Sequence, residues 1–546
     1  MIAAAAAIVL SAVPVYMQLG SEFMPKLNEG DILYMPTTLP GISIETAKGW
    51  LQIQDKLIRR FGEVERVFGK IGRARSATDP APLSMVETLV KLKPHDEWPE
   101  IEKEKSFLGF KWKAKGRRSW EELIDALDAE MRLPGTTNAW TMPIKTRIDM
   151  LTTGIRTPIG IKVFGPDLGE IERIGTEIEG LIPAVAGTRS AFAERVTGGY
   201  FLDFEVRREE AARYGLTVGA VEDVIESAIG GKNVTTTVEG RERYPVNVRY
   251  GRDLRDDLDR LKRVLVPTPT GAQIPIMQVA DLWIKTGAPA IKDENGMLTG
   301  WVYVDLQTDR DIGSYVEEAK AHLAANLKIP AGYYLEWSGQ FEFMERAKRK
   351  MMLVLPVTLL VIVVLLFINT GSWVKTGIVL LAVPFSVVGA VWLLWLLDYN
   401  MSVAVWVGLI ALAGVDAETG VVMLLYLDIA YANAVREKKM RALAQLEEAV
   451  MHGAVKRIRP KMMTVGTTFI GLLPIMWAAT YESGADVMKR IAAPMVGGIL
   501  TSFIMELLVY PAIYTVWKWR FEMREGKTSD EELLARVEAE TLEMEA

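Results

Sequence analysis

Residues 407 to 427, VGLIALAGVDAETGVVMLLYL, are almost entirely apolar and yet contain two acidic residues, Asp416 and Glu418. An apolar run of about 20 residues is long enough for an α-helix to cross a lipid bilayer. A carboxylate inside such a run is costly, so it is retained where it has a polar partner or a function. The run therefore predicts a membrane-spanning helix with a functional acidic site.

Similar apolar runs lie on both sides of this one. The set occupies residues 351–368, 376–397, 401–427, 462–480 and 491–517. Because each run is near the length of a membrane span, we expect five transmembrane helices within residues 346–518. A further apolar stretch, residues 2–17, has no preceding basic residue of the kind that begins a secretory signal. It predicts, within residues 1–19, a transmembrane helix that has lost its beginning.

The distribution of basic residues predicts how these helices are oriented. The segment from Arg436 to Lys461 is rich in Lys and Arg, whereas the turn from Asp398 to Asn400 has neither. Since short cytoplasmic loops carry an excess of Lys and Arg, the first segment is expected in the cytoplasm. Residues 20–350 then lie outside the cytoplasm, and residues 519–546 form a cytoplasmic tail.

The composition excludes several classes of protein. The 546 residues are 50% hydrophobic and 24% charged, with a net charge of -6, which indicates several domains of which part lies in lipid. Zero cysteines exclude disulfides, a cysteine nucleophile and thiolate metal sites, and three distant histidines argue against a histidine-rich metal site. The balance of 63 basic and 69 acidic residues shows no basic stripe for nucleic acid.

The outer region alternates strand and helix patterns. Residues 31–145 follow the order βαββαβ, which is typical of a ferredoxin-like α+β unit, and Ser119 with Glu122 predicts a capping box for its second helix. A second unit begins at Pro158 and is interrupted. We expect a membrane α-helical bundle joined to periplasmic α+β subdomains, the latter at residues 20–157, 158–206 with 295–345, and an inserted 207–294.

Charged residues in the apolar runs are candidates for handling protons. At about 100° per residue, Asp416 and Glu418 lie on nearly opposite faces of one helix, so they cannot both face one neighbour. Lys461 opens the next run, and an acid beside it on an adjacent helix could exchange a proton with it. A static ion pair, or a lysine reaching towards the membrane surface, is the alternative. Glu506 in the last run is a weaker candidate.

Two methionines of the outer region are candidate metal ligands. Met85 opens a strand of the first α+β unit, and Met150 lies just before the second unit. Thioether sulfur is a soft ligand that favours Cu(I) or Ag(I) over zinc. Methionine also fills apolar cores, and the chain has 25 of them, so core packing is the competing interpretation.

No phosphate-binding GxxxxGK[ST] loop and no HExxH sequence is present, so an enzyme is the least favoured class.

Several motifs together resemble a known transporter family. They include GSEFMPKLNEGDILYMPTTLPGIS from Gly20, SATDPAPLSMVETLVKLKP, RIDMLTTGIRTPIGIKVFG, LAGVDAETGVVMLLYL and RIRPKMMTV. The combination resembles the heavy-metal efflux branch of the resistance-nodulation-division (RND) transporters, and within that branch the copper and silver exporters. The resemblance covers the second half of such a pump, so an N-terminal half is expected as a separate partner.

The resemblance implies an architecture and an activity. A pump of this kind is a proton antiporter of the bacterial inner membrane, without a cofactor, with periplasmic porter and docking subdomains. It works as a homotrimer with a membrane-fusion adaptor protein and an outer-membrane channel protein. The subdomains at residues 20–157 and 158–206 with 295–345 would be porter units, and residues 207–294 a docking insert. The transported ion would be Cu(I) or Ag(I).

The resemblance also implies roles for particular residues. Glu418 and Lys461 match members of the proton relay, whose aspartate belongs to the missing half, and Asp416 is placed beside them. Met85 and Met150 match two of three cleft methionines; the third is expected near residues 192–200, where none occurs. Arg195 would line the same cleft, or form a surface salt bridge. Met488 would pass metal along the membrane region, or pack in the core.

Two other functions stay open at this point. A pump for divalent zinc, cobalt or nickel belongs to the same branch, although carboxylates in place of Met85 and Met150 would favour it more. A non-transporting fragment that acts as a membrane-anchored periplasmic binding module is the alternative from another class.

Overall fold

The structure is a computed structural model that describes residues 1–25, 27–38, 40–72, 82–107, 110–307, 310–440, 442–479, 481–523 and 528–545. These residues form two compact units. The main unit comprises Met1–Glu194 and Glu294–Ala546, and the inserted unit comprises Arg195–Asp293.

The first α+β subdomain of the main unit contains an antiparallel sheet. The elements up to this point of the chain are α1 (Ile2–Tyr16), β1 (Asp31–Tyr34), β2 (Thr37–Thr38), α2 (Ile44–Ile58), β3 (Val64–Ile71), β4 (Val86–Leu92), β5 (Glu100–Phe107), β6 (Phe110–Arg117), α3 (Trp120–Glu130), β7 (Thr136–Thr137), β8 (Trp140–Thr141) and α4 (Pro143–Thr153). The strand order is β3-β4-β1-β8. Helices α2 and α3 pack on the sheet through a core that includes Ile32, Ile58 and Leu123.

Local signals place the helices of this subdomain. The Ser43 side chain accepts a hydrogen bond from the Thr46 amide and begins α2. The capping box of Ser119 and Glu122 is present at the start of α3, as the sequence predicts. The charged segment at residues 97–118, which precedes α3, contains the antiparallel hairpin β5–β6.

Residues 159 to 339 contain the second α+β subdomain and, within it, the inserted unit. The elements are β9 (Ile159–Gly165), α5 (Leu168–Leu181), β10 (Thr188–Ala193), β11 (Gly199–Val206), α6 (Arg208–Arg213), α7 (Val218–Val224), β12 (Lys232–Glu239), β13 (Glu242–Val248), α8 (Leu258–Leu261), β14 (Leu265–Pro267), β15 (Gln273–Pro275), β16 (Ala280–Gly287), β17 (Asp293–Glu294), β18 (Met297–Leu306), α9 (Ile312–Asn326) and β19 (Tyr334–Gly339).

The second subdomain repeats the strand order of the first. Its sheet runs β10-β18-β9-β19. If the two-residue strand β17, which pairs with β18, is left aside, the strand that comes first in the chain lies between the third and the fourth in both sheets. Helix α5 turns Ile171, Ile174 and Ile178 into the buried side, as its periodicity predicts.

The inserted unit begins earlier than the sequence predicts. The insertion was expected to start at residue 207, but the unit starts at Arg195. The reason is long-range pairing, because β11 pairs with β16 along its whole length, from Gly199 opposite Gly287 to Val206 opposite Ala280. The unit has its own apolar core, which includes Leu216 and Ile276.

The last third of the chain is helical. It comprises α10 (Gln340–Thr370), α11 (Trp373–Leu380), α12 (Ala382–Leu396), α13 (Val403–Arg436), α14 (Leu443–Trp477), α15 (Ala485–Trp517), which continues as a π-helix (Lys518–Glu522), and α16 (Asp530–Glu545). Among the described residues, four helical segments are long and apolar enough to cross a membrane. They are α10 (Gln340–Thr370), α11 together with α12 (Trp373–Leu396), α13 (Val403–Arg436) and α15 together with its π-helix (Ala485–Glu522).

The fifth predicted span, residues 462–480, does not meet this criterion. It forms the second half of α14, which ends at Trp477. Its apolar part is therefore shorter than the roughly 20 residues of a span, and the first half of α14 is rich in charged and polar residues. The expected helix at residues 1–19 is α1, which has 15 residues and packs through Ala12 and Val15 against α12.

Glycines allow α12 and α15 to approach each other closely. A methyl group on Gly389 would overlap the carbonyl oxygen of Gly497, and a methyl group on Gly497 would overlap the carbonyl oxygen of Gly389. Small residues of this kind are typical of helix contacts in membranes, where close van der Waals packing drives association. The α12–α15 contact therefore depends on both glycines.

We expect Gly389→Ala and Gly497→Ala each to destabilise the chain by about 1–3 kcal/mol, because an added methyl group forces the two helices apart. Thermal unfolding of the detergent-solubilised chain measures this as a lower Tm. Gly377→Ala is the matched control, since Gly377 lies in α11 with no atom within 4 Å of an added methyl group. An unchanged Tm for Gly389→Ala would show that the helices are not held this closely.

Candidate metal site and buried charge cluster

Three methionines meet in the first α+β subdomain. Met35 and Met85 are buried, at 0% and 8% exposure, in a small apolar cluster with Ala139. Met150 and Leu33 pack against this cluster and are partly buried. Thioether side chains are flexible and polarizable, and three of them at one place form a soft ligand set.

The ends of two paired strands bring Met35 and Met85 together. Strands β1 and β4 are antiparallel, and Thr37 is bridged to Met85, so the end of β1 lies beside the start of β4. The Met35 amide donates a hydrogen bond to the Ala139 carbonyl at 2.9 Å, which fixes the backbone on the other side. These backbone contacts hold both methionines at one edge of the sheet.

Helix α4 supplies the third methionine. It begins at Pro143 and stops at Gly154, whose φ of 79° is in the left-handed region that favours glycine. The Gly154 amide donates to the Met150 carbonyl at 2.9 Å, so Met150 lies in the last turn. A side chain on Gly154 would overlap the Trp301 ring of the second subdomain.

The structure locates the third methionine differently from the sequence. It was expected near residues 192–200, but Met35 is the residue that lies with Met85 and Met150. The βαββαβ pattern could have predicted that Met35 lies beside Met85, because that topology puts the first strand next to the third. Met35 directly follows the first strand and Met85 directly precedes the third.

The other predicted metal residues belong to other elements of the chain. Arg195 is the first residue of the inserted unit, so its role in the cleft stays a prediction. Met488 lies in the first turn of α15 and is 49% exposed. Among the described residues, no group of three or more His, Cys, Asp and Glu side chains is placed to hold a metal ion.

A buried ion pair joins α14 and α15. The Lys461 ammonium of α14 is paired with the Glu506 carboxylate of α15, and both residues are at most 1% exposed. The Glu506 Oε1 atom also accepts hydrogen bonds from the Thr419 hydroxyl at 3.2 Å and from the Ser502 hydroxyl at 2.9 Å. A buried charge pair needs such additional hydrogen bonds to offset the loss of water.

Asp416 is the second acid at this place. It is 2% exposed, the hydroxyls of Ser386 and Ser502 face its carboxylate, and the Lys461 ammonium is close enough for electrostatic attraction. Its Oδ2 atom has no hydrogen-bond partner among the described residues. A small cavity between α13, α14 and α15 is lined by Asp416, Lys461 and Ser502. We call Asp416, Lys461 and Glu506, with Thr419 and Ser502, the buried charge cluster.

Glu418 is not part of this cluster. Asp416 and Glu418 lie on opposite faces of α13, as their spacing predicts, and it is Asp416 that faces Lys461 while Glu418 is exposed. Sequence reasoning ranked Glu418 first and Glu506 last among these acids. In the structure Glu506 pairs with Lys461. Ser502 lies four residues before Glu506 on α15 and donates a hydrogen bond to its carboxylate, so the spacing of Ser502 and Glu506 was the overlooked sign of a buried polar face on α15.

Comparison with known proteins identifies the family. The model of the AcrB/AcrD/AcrF family matches residues 1–518. The chain is 44% identical over 510 residues to the cation efflux system protein CusA of Escherichia coli (strain K12). The aligned region covers 93% of this chain and 47% of CusA. It is 34% identical over 523 residues to the cobalt-zinc-cadmium resistance protein CzcA of Cupriavidus metallidurans, and that alignment covers 94% of this chain and 46% of CzcA.

The solved structures agree with the sequence comparison. A crystal structure of a heavy metal efflux pump superimposes with a TM-score of 0.81 at 28% identity, covering 94% of this chain and 49% of that one. The chain spans about half the length of the relatives it matches. Since the family model matches nearly the whole chain, this protein belongs to the AcrB/AcrD/AcrF family.

Proposed function

We propose that the chain is the C-terminal half of a proton-driven heavy-metal efflux transporter that exports Cu(I) or Ag(I). The cluster of Met35, Met85 and Met150 carries the proposal, because it offers soft sulfur ligands to a soft cation. The 44% identity to a protein named cation efflux system protein CusA supports the same substrate class.

The methionine cluster fits a monovalent ion better than a divalent one. Zinc, cobalt and nickel are held by imidazole, carboxylate or thiolate groups, and in the described part of the chain no three or more His, Cys, Asp or Glu side chains are grouped to hold a metal ion. Two thioethers are nearly buried and the third is partly buried, so metal binding requires only a local opening beside Met150. A divalent-cation pump, favoured by the similarity to the CzcA protein, is an outcome of the test below.

The buried charge cluster supports proton coupling. Lys461 lies between two carboxylates, Asp416 and Glu506, so the three groups carry one positive and two negative charges when all are ionised. One bound proton neutralises this excess, and buried excess charge in a membrane is costly. We place the exchangeable proton on Asp416, because its Oδ2 atom has no hydrogen-bond partner among the described residues.

Glu418 would complete the relay from the other side of α13. It is exposed on an apolar helix, and a charge there needs a polar neighbour in the assembled membrane domain. We propose that the chain supplying the other half of the pump covers this face. Arg195 at the metal cleft and Met488 near the membrane region are proposed as further residues of the metal path.

The remaining parts of the pump follow from the same assignment. We propose that the two α+β subdomains are ferredoxin-like porter units, supported by their shared strand order, and that the inserted unit is the docking subdomain. The chain would lie in the bacterial inner membrane with these subdomains in the periplasm. It would act as a homotrimer with a membrane-fusion adaptor protein and an outer-membrane channel protein.

Metal binding tests the substrate. We expect the purified full chain to bind Cu(I) and Ag(I), and each of Met35→Ile, Met85→Ile and Met150→Ile to weaken binding by more than about tenfold, because one sulfur ligand is lost. Isothermal titration with Cu(I), Ag(I) and Zn(II) measures the affinities. Met131→Ile is the matched control, since Met131 is a buried methionine of the same subdomain that packs in a different core.

Each outcome of this titration has a clear meaning. Tight Zn(II) binding without Cu(I) or Ag(I) binding would assign the chain to a divalent pump. Equal loss of binding in Met131→Ile would mean that the effect comes from altered packing. Binding that is unaffected by all three substitutions would show that the three methionines are core residues and not metal ligands.

A neutral side chain at Asp416 tests the proton coupling. We expect Asp416→Asn to abolish metal-dependent proton movement while leaving Ag(I) affinity unchanged, because asparagine keeps the size of the side chain and cannot take up a proton. A pH-sensitive dye in proteoliposomes, containing the chain with a partner chain for the other half of the pump, measures the proton movement.

Asp398→Asn is the control for this experiment, since Asp398 is an exposed acid in the turn between α12 and α13. Proton movement that persists at the wild-type rate in Asp416→Asn would mean that the exchangeable proton binds to Glu506 or Glu418. The variant Glu418→Gln then shows which of these two carboxylates takes up the proton.

A further inference from the structure

Helix α15 has a row of buried polar side chains that extends well beyond the buried charge cluster. The row repeats every four residues and consists of Ser502, Glu506, Tyr510, Tyr514 and Lys518. All five are at most 2% exposed. Residues four apart form a continuous ridge on a helix, and the ridge from Glu506 to Lys518 is roughly 18 Å long.

The far end of the row meets a second set of charges. The Tyr514 hydroxyl donates a hydrogen bond to Asp428 Oδ1 at 2.6 Å, and Lys375 Nζ lies 3.0 Å from Asp428 Oδ2. Lys518 is paired with Glu522, and its ammonium lies 4.5 Å from the centre of the Tyr431 ring. Helices α11, α13 and α15 thus all contribute ionisable groups to this place.

Tyr510 lies between the two sets. Its hydroxyl donates a hydrogen bond to the Val379 carbonyl at 2.8 Å. It also lies against Gly420 of α13, one turn after Asp416, and is close enough to interact electrostatically with the Asp416 carboxylate. The row therefore has a hydroxyl group at each turn between the buried charge cluster and Asp428.

Packing alone does not account for the chemistry of this row. Apolar side chains of similar size would fill the same interface without the cost of burying hydroxyls and charges. The row is also directional: it begins at the cluster to which the exchangeable proton is assigned above and ends near Arg520, among basic residues predicted to face the cytoplasm.

We propose that Tyr510, Tyr514 and Asp428 form the cytoplasmic branch of the proton path, which joins Asp416 and Glu506 to the cytoplasmic end of α15. In each step one O–H bond breaks and another forms on the next oxygen, so only a proton moves. Successive residues of the row are about 6 Å apart along the helix axis, so each transfer requires a bridging water molecule. The proposal rests on the proton coupling proposed above and adds its route and direction.

Protonation kinetics test this branch without any metal. The full chain is reconstituted in liposomes of known orientation, and a caged acid releases protons on one side. Infrared spectroscopy then follows the carboxylic acid band that Asp416→Asn removes. We expect Tyr510→Phe and Tyr514→Phe to slow protonation from the cytoplasmic side by at least about tenfold, since each removes one relay hydroxyl. Protonation from the other side stays at the wild-type rate.

Controls separate a relay from a structural role. Tyr426→Phe removes a hydroxyl from α13 outside the row and is expected to change neither rate. Asp428→Glu keeps a carboxylate and is expected to keep the rate within about twofold, whereas Asp428→Asn slows it as much as Tyr514→Phe. Thermal unfolding of each variant verifies folding, and where Asp428→Asn fails to fold, the two tyrosine variants decide the outcome.

Two results overturn the proposal: cytoplasmic protonation at the wild-type rate in both phenylalanine variants, or equal slowing from both sides. The proposed efflux function fails separately. If metal moves no protons while the phenylalanine variants still slow cytoplasmic protonation, the path stands and the efflux assignment does not. If metal-dependent proton movement occurs and the variants protonate normally, only the path is wrong.

Discussion

The ion pair between Lys461 and Glu506 is the constraint on which the arrangement of the apolar helices depends. A lysine and a glutamate on separate helices are each too costly to leave unpaired in a membrane, so α14 and α15 must meet where these two residues face each other. Thr419 of α13 donates to the same carboxylate and fixes the rotation of the third helix. That rotation turns Asp416 inwards and Glu418 outwards, and the reciprocal contact of Gly389 and Gly497 brings α12 close to α15.

The sequence predicted what local patterns determine. The capping box at Ser119, the amphipathic face of α5 and four of the five long apolar runs depend on residues a few positions apart, and these features are where the patterns indicate. The choice between Asp416 and Glu418 could not be made in this way. Two positions on one helix differ only by rotation, and the rotation of α13 is set by contacts with α14 and α15.

Long-range strand pairing explains the other differences. A strand pattern near residue 200 is the same whether that strand joins the sheet of the second subdomain or pairs with β16, so its own residues could not show where the inserted unit begins. Met35 was overlooked for a related reason. Its neighbours in sequence give no sign of metal binding, and its significance comes from the antiparallel pairing of β1 with β4, which brings Met85 alongside.

The backbone offers a direct mechanical connection from the methionine cluster to the membrane helices. Met150 lies in the last turn of α4, and the segment from Gly154 to Pro158 joins that helix to β9. Strand β19 pairs with β9 and passes into α10 at Gly339, where the Gln340 amide donates to the Pro158 carbonyl at 2.9 Å. Gly339 has a φ of 80° and its Cα packs so closely on Pro158 that a side chain would collide with that carbonyl. Because a side chain cannot be accommodated at this junction, a shift of α4 would displace the start of α10, and the metal binding proposed for the methionine cluster would act on the apolar helices along this packed segment.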